Sequence, residues 1–397
     1  MRRVLAQAQL ANSIGDGAYL VTSALYFARV VGLSPAEIGA GLTLGWAVGT
    51  VAGVPLGHLA DRRGPRGVAV LLALATAAAA LSFLFVHSFA LFLPVACLYG
   101  TAQTGLSAAR QALLAALVEP ERRTEVRAVL QSTLNGGLAV GAALGGLALH
   151  LDTPAAYAAV FVLDAASFAA AALLLLRLPS VPPRPAAAGP RLAVLRDRPY
   201  AVVTLINTVM LFYMPLLSLV VPLWIAQRTT APTWLVSALL VLNTGCVLLF
   251  QVRVARRVRG LRDASASVRH AGLVMFAACA VFALSALGSY AWLFLLVAGG
   301  LQVLAEMLLA SGAWEIGFAL APEDKQGQYQ GFFGSGVAVA RMLGPAALTT
   351  LVLDGGTAGW LALGAVFAVA GAAMGPAVRW AERTRRAPHP TPCRAGT

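Results

Sequence analysis

The stretch GHLADRRGPRG (57–67) holds six charged, histidine or proline residues in eleven positions. Apolar runs flank it, AEIGAGLTLGWAVGTVAGVPL (36–56) before and VAVLLALATAAAALSFLFV (68–86) after. A helix of about 20 apolar residues crosses a hydrocarbon core. The polar knot therefore reads as a short loop at a membrane surface that joins two spans. Gly64-Pro65 imposes a tight turn with proline near the start of the second helix. Asp61 can accept hydrogen bonds from a nearby helix N-terminus, and the arginines can bridge to carboxylates.

The rest of the chain has the same texture. Of 397 residues, 59% are hydrophobic and 11% charged, against roughly 25% charged in a soluble domain. Too little polar surface remains to solvate a globule of this size, so the outer face must meet lipid. Twelve runs are long enough to span: 4–31, 37–58, 66–87, 89–117, 126–150, 154–178, 199–227, 233–253, 268–288, 290–320, 327–352 and 357–380. They are too long and too uniformly apolar for barrel strands, which predicts an all-α integral membrane fold of twelve helices. Met1–Val31 reads as the first span rather than a cleaved signal. Cys97, Cys246, Cys279 and Cys393 have no paired spacing, so neither disulfides nor a metal site are expected.

The formal net charge of +13 is explained by its placement. The termini and every second loop carry Arg2, Arg3, Arg62, Arg63, Arg66, Arg122, Arg123, Arg127, the runs Arg177–Arg198 and Arg253–Arg269, Lys325 and the tail arginines. The opposite loops carry only Arg29 and Arg228. The positive-inside rule then puts both termini in the cytoplasm of a plasma-membrane protein, and nucleic acid is not an expected partner. The Pro/Arg-rich stretch 179–198 divides the chain into a six-helix bundle at 1–178 and a second at 199–381, with a tail at 382–397. The halves echo each other: LVEPERRTEVRAVLQSTLNGGLAVGAALGG (117–146) aligns with ALAPEDKQGQYQGFFGSGVAVARMLGPAAL (319–348). Parallel repeats of this kind are a transporter signature.

The loop resembles the signature G-x-L-a-D-r-x-G-r-r of the major facilitator superfamily, matched at Gly57, Leu59, Asp61, Arg62, Gly64 and Arg66. The resemblance covers the whole chain: twelve spans, a central linker, a halved repeat. It implies two six-helix bundles with pseudo-twofold symmetry. It also implies that the loop latches the bundles together on the cytoplasmic side, with the aspartate facing the start of the eleventh span. The second-half equivalent QVRVARRVRG (251–260) lacks an aspartate, so a one-sided latch is expected. Gly137, Gly141, Gly145 and Gly146 resemble the family's antiporter motif g-x-x-x-G-P-x-x-G-G, with Ala142 where proline is usual. Small residues four apart also let helices pack closely. FVLDAASFAAAALLL (161–175) is similar to bacterial drug-exporter relatives.

Ionisable residues inside the membrane cost about 2.5–3.5 kcal/mol each at a helix centre, so each needs a reason. Asp16, Asp164, Glu306 and Arg341 come out about 18–21 Å from the cytoplasmic end of their spans, near the middle. Asp16 lies on a helical stripe Gln9, Asn12, Asp16, Tyr19, Ser23, Tyr26, which is expected to line a cavity or a polar interface. The fourth span has a similar stripe, Tyr99, Gln103, Ser107, Arg110. Glu306 and Arg341 share a depth in consecutive spans and are expected to pair, with Gln302 one turn away. Glu315, on the opposite face from Glu306, is assigned to the cytoplasmic gate. An isolated carboxylate in apolar surroundings favours its neutral form, which makes Asp16, Glu306 and Asp164 candidate proton carriers, Asp16 first. His58, His87, His150, His270 and His389 sit at span ends, loops or the tail, which argues against a histidine relay.

These readings converge on a secondary transporter that exports small amphipathic or hydrophobic compounds by proton antiport. Asn12, Tyr19, Ser23, Tyr26, Trp46, Tyr99, Gln103, Arg110, Asn207, Gln302 and Arg341 are the expected cavity residues, with Phe212, Tyr213 and Trp314 as further aromatics. The proton gradient stands in place of a cofactor, since no G-x-x-x-x-G-K-[ST] loop occurs. A monomer is expected. A flippase for lipid or glycolipid, or a sugar or metabolite exporter of the same fold, is the alternative. No catalytic cluster favours an enzyme.

Overall fold

A computed structural model describes residues 1–182, 192–232, 234–286, 288 and 290–386. The helices are α1 (Arg2–Arg29), α2 (Pro35–Arg63), α3 (Pro65–Ser82), α4 (Phe89–Leu117), α5 (Pro120–Leu151), α6 (Pro154–Leu176), α7 (Arg198–Leu211), α8 (Val221–Arg228), α9 (Leu235–Ala255), α10 (Gly260–Leu284), α11 (Ala291–Ala319), α12 (Gln326–Leu348) and α13 (Gly356–Arg386). Arg198–Arg228, comprising α7, a π-helical segment at Leu216–Val220 and α8, serves as one span. A second π-helical segment, Thr349–Asp354, continues α12. The result is the twelve-span all-α fold. Eleven spans among the described residues are long and apolar enough to cross a membrane by composition. The exception, α1, is long enough, but its amides and hydroxyls make it less apolar.

Local chemistry sets the boundaries. Ser34 and Glu37 form a reciprocal capping box at the start of α2. Gly64 takes φ +93° between α2 and α3, and Pro65 opens α3, a backbone geometry suited to glycine. Between α5 and α6, Asp152 sits at φ +46° and accepts hydrogen bonds from Tyr157 (2.7 Å) and Arg29 (2.6 Å). Those two donors hold its carboxyl below the usual carboxylate range. α5 and α10 begin at Pro120 and Gly260, earlier than the apolar runs predict, because their first turns are charged and extend past the membrane. The expected linker at 179–198 ends in a short 3-10 turn, Ala193–Arg196, and Asp197 caps α7. Residues 183–191 of the linker and 387–397 of the tail lie outside the described residues.

Helix contacts sort into two groups. α1 packs on α5 and α6, α2 on α4, and α3 on α4 and α6; in the second half α10 packs on α11 and α13, α7 on α12 and α13, and α9 on α11. Apart from Val54 and Phe318, the two large apolar cores each draw their buried side chains from one half of the chain. Contacts between the halves follow a twofold pattern: α12 meets α2 and α4, and α5 meets α9 and α11. The aligned segments 117–146 and 319–348 thus occupy equivalent places.

The glycines of α5 show why close packing matters. A Cβ on Gly137, Gly141 or Gly145 would press on α1 at Ser13, Ile14 and Ala18 respectively. Gly146 faces open space, so it is not part of this interface. Gly141→Ala is expected to destabilise the first bundle by about 1–3 kcal/mol, the usual cost of overpacking. Gly146→Ala should leave thermal unfolding in detergent unchanged, and equal midpoints for the two variants would contradict this assignment.

Candidate functional site

Two regions gather charged and polar side chains, and the first of them joins the bundles. The first is the arginine-rich end, where the loop at 57–67 lies. Asp61 Oδ1 accepts from the Gly327 N–H (2.7 Å) and Oδ2 from the Gln328 N–H (3.0 Å), both at the start of α12. A carboxylate on the unsatisfied amides of a helix N-terminus is a charge-assisted cap. Beside it, two glycine pairs cross. A Cβ on Gly57 would collide with the Gly327 carbonyl, one on Gly327 with the Gly57 carbonyl, and one on Gly331 with Gly53. Gly53-x-x-x-Gly57 and Gly327-x-x-x-Gly331 are thus an antiparallel backbone contact between bundles. The sequence reading missed Gly53, Gly327 and Gly331, although their four-residue spacing was the available signal. His58 Nδ1 lies 3.5 Å from Gln328 Nε2.

Other residues of the loop act differently. Arg66 donates to the Leu178 carbonyl (2.7 Å) within its own bundle, and Arg62 and Arg63 are exposed. Neither hydrogen bonds nor ion pairs to the second bundle are seen for Arg62 or Arg66 among the described residues, so the gate assignment for these two is corrected. Glu315 does bridge the bundles, accepting from Thr124 on α5 and from the Gly260 backbone. The expected one-sided latch has a weaker contact opposite it. On the equivalent side, Arg256 at the end of α9 pairs with Glu125 of α5 (2.9 Å), and Arg127 lies 5.6 Å over the Trp314 ring. The charge polarity is inverted there, and the pair is solvent-exposed on the arginine side.

The second region lies at mid-membrane. Asp16 is half-buried and accepts from Gln103 (2.9 Å) and Asn12 (3.1 Å). Arg110 donates to Asn12 (3.2 Å) and Gln9. The polar stripes of α1 and α4 therefore satisfy each other. Above them, Tyr19 packs on Tyr99 (5.0 Å between centroids), Phe83 and Phe161. Tyr26 is buried and donates to the Phe83 carbonyl (3.3 Å), and Ser23 is buried too. Asn12, Ser23, Tyr26 and Tyr99 belong to the interior of the first bundle rather than to a cavity lining. Of the two readings of the α1 stripe, a cavity or a polar interface, its contacts with α4 favour the polar interface.

Asp164 is fully buried; Tyr99 donates to its Oδ2 (3.0 Å), and its Oδ1 has no hydrogen-bond partner. Asn207 and Gln302 are buried in the second bundle, so neither lines an open surface. Trp46 is half-buried on α2.

In the second bundle Glu306 accepts from Asn243 Nδ2 (2.8 Å), and the Tyr213 hydroxyl is also within hydrogen-bonding reach. Among the described residues Glu306 and Arg341 form no ion pair, so the expected pairing is corrected. Arg341 is exposed and lies within electrostatic reach of Asp16 and Tyr213 instead. Equal depth was right, but rotation about the helix axis sends Arg341 toward the other bundle. Asp16, Gln103, Tyr213, Glu306 and Arg341 all sit near the middle of their spans.

Two pseudo-symmetric six-span bundles, joined at one end and carrying carboxyl groups at mid-membrane, define a membrane transporter. The chain belongs to the Major Facilitator Superfamily, whose family model matches residues 5–345. Members of that family are transporters. Solved structures with the same fold include the human organic anion transporter MFSD10 (TETRAN), at 18% identity and TM-score 0.73 over 94% of this chain and 98% of that one. A bacterial homologue of the iron transporter ferroportin in an outward-facing state is 16% identical, with TM-score 0.72 over 96% and 99%. The E. coli fucose:proton symporter is 13% identical, with TM-score 0.69 over 96% and 98%. No curated protein matches the chain in sequence.

Proposed function

We propose that the chain is a monomeric plasma-membrane exporter of small amphipathic or hydrophobic compounds, driven by proton antiport. Both termini are cytoplasmic on this reading, because the arginine-rich loops share their side. The joined end is then the cytoplasmic one, and the structure is outward-facing. Of the three mid-membrane carboxyls, Asp164 is fully buried inside the first bundle with Tyr99 as its donor, and the observation that carries proton coupling is the difference between the two half-buried ones. Asp16 lies near Arg110 and Arg341, which compensate its charge. Glu306 meets only neutral donors, Asn243 and Tyr213. Protonating Glu306 therefore breaks no ion pair, whereas protonating Asp16 gives up two attractions.

Glu306 is accordingly the proton carrier, in place of the Asp16 favoured by sequence alone. The outer side loads it with a proton while the cytoplasmic end is closed. Inside, an amphipathic substrate entering between the bundles displaces that proton, and the bundles rock back. Tyr213, Trp46 and Trp314 supply aromatic surface, half-buried in each case.

Proton release on adding rhodamine 6G to the protein in lightly buffered detergent tests this. Wild type and Asp16→Asn are expected to release protons, while Glu306→Gln should not. Because Glu306 has no charged partner, Glu306→Gln should also unfold within a few degrees of wild type. Release from Glu306→Gln at the wild-type level would overturn the assignment.

A further inference from the structure

We infer that Tyr213 transmits the protonation state of Glu306 to the outer segments 216–228 and 345–354 of the second bundle, which move as one unit. The inference rests on Glu306 as the proton carrier and adds the element that responds to it.

The span holding Tyr213 is not one continuous helix. α7 stops at Leu211, Phe212–Tyr213 form a turn, and the chain resumes through the π-helical segment Leu216–Val220 into α8. Pro215 and Pro222 explain the interruption, since each lacks an N–H and crowds the preceding turn. The neighbouring span is interrupted at the same level. Pro345 lies inside α12, and the π-helical segment Thr349–Asp354 follows. The two interruptions touch: a Cβ on Gly344 would meet the Pro215 ring. Beyond them the two π-helical segments pack on each other, and Arg228 at the end of α8 donates to the Leu353 carbonyl (2.8 Å). Residues 216–228 and 345–354 are thus tied together beyond a paired break.

Tyr213 sits in that break with its hydroxyl at Glu306. The groups around Glu306 can be named helix by helix. The broken span presents Tyr213 and α9 presents Asn243. α12 presents Arg341, within electrostatic reach of Tyr213. The charged residues of α10 (Arg262, Asp263, Arg269, His270) and of α5 (Glu121, Arg122, Arg123, Glu125, Arg127) lie toward the arginine-rich end.

An ionised Glu306 accepts from both Asn243 and Tyr213. A protonated Glu306 gains one O–H donor and is a weaker acceptor than the carboxylate, so its bond from Tyr213 weakens or reverses. Tyr213 stands at the turn between α7 and the π-helical segment, with its carbonyl accepting from the Leu216 N–H (3.0 Å). π-helical turns of this kind recur at functional positions.

The test uses spin labels at Ala36→Cys on α2 and Gln227→Cys on α8, in a background without the native cysteines, in lipid nanodiscs. Wild type should show an outer-end distance distribution that shifts between acid and alkaline buffer. Glu306→Gln should stay at the acid distribution in both. Tyr213→Phe, which removes only the hydroxyl, should lose the shift while still releasing protons on rhodamine 6G addition. A merely structural tyrosine would lower stability but leave the shift intact, and a wild-type shift in Tyr213→Phe overturns the inference. Loss of proton release in wild type, or its survival in Glu306→Gln, would overturn the proton-carrier reading itself and be seen separately.

Discussion

Gly57→Ala is expected to stop turnover while leaving a folded, inserted protein. Alanine improves the intrinsic helix propensity of α2 by roughly 0.5–1 kcal/mol, so any loss must come from what the new Cβ meets. It meets the backbone of Gly327 and Gln328 in the opposite bundle. Backbone cannot rotate away as a side chain can, so the two bundles cannot close. An overpacking cost of about 3 kcal/mol corresponds to a shift of roughly 150-fold against the closed cytoplasmic end. Gly53→Ala should be much milder, because its nearest neighbour is the Thr104 methyl group. Spin labels at Arg63→Cys and Glu323→Cys should show a longer distance in Gly57→Ala than in Gly53→Ala. Equal distances would mean that the glycine crossing does not limit closure.

Asp61→Asn should act at the same place with a smaller effect. The carboxylate accepts from two amides of α12, Gly327 and Gln328. Asparagine keeps one acceptor oxygen and turns an NH2 group toward the other donor. Losing one charge-assisted hydrogen bond costs about 1.5–3 kcal/mol, a shift of roughly 10- to 150-fold toward inward-open. Arg256→Gln on the equivalent side should change the same distance little. Its pair with Glu125 is solvent-exposed on the arginine side, and such pairs contribute about 0.2–1 kcal/mol. An unchanged distribution in Asp61→Asn would contradict the latch.

The spans were legible because long apolar runs leave few alternatives, and the loop was legible because an aspartate beside Gly64-Pro65 has few other purposes. Its partner at the start of α12 followed from the resemblance, and the structure places it there. What sequence could not supply was rotation about each helix axis. Residue counting gave Glu306 and Arg341 the same depth, yet packing turns Arg341 toward Asp16 and leaves Glu306 to Asn243 and Tyr213. The stripe on α1 was read as lining a cavity or a polar interface, because its partner stripe on α4 could not be docked from periodicity alone. The break at Tyr213 was hidden for another reason: 199–227 carries no charged residue, and Pro215 and Pro222 were absorbed into one span.

The proposed transport cycle exchanges protons for an amphipathic substrate. The most direct measurement is rhodamine 6G uptake by proteoliposomes with an acid lumen in neutral buffer, with lumenal pH recorded together with the dye. Antiport predicts that dye accumulates above its equilibrium level as the lumen turns alkaline, and that Glu306→Gln only equilibrates. Dye uptake that is the same with and without the gradient, or that leaves lumenal pH at the protein-free rate, would contradict the account.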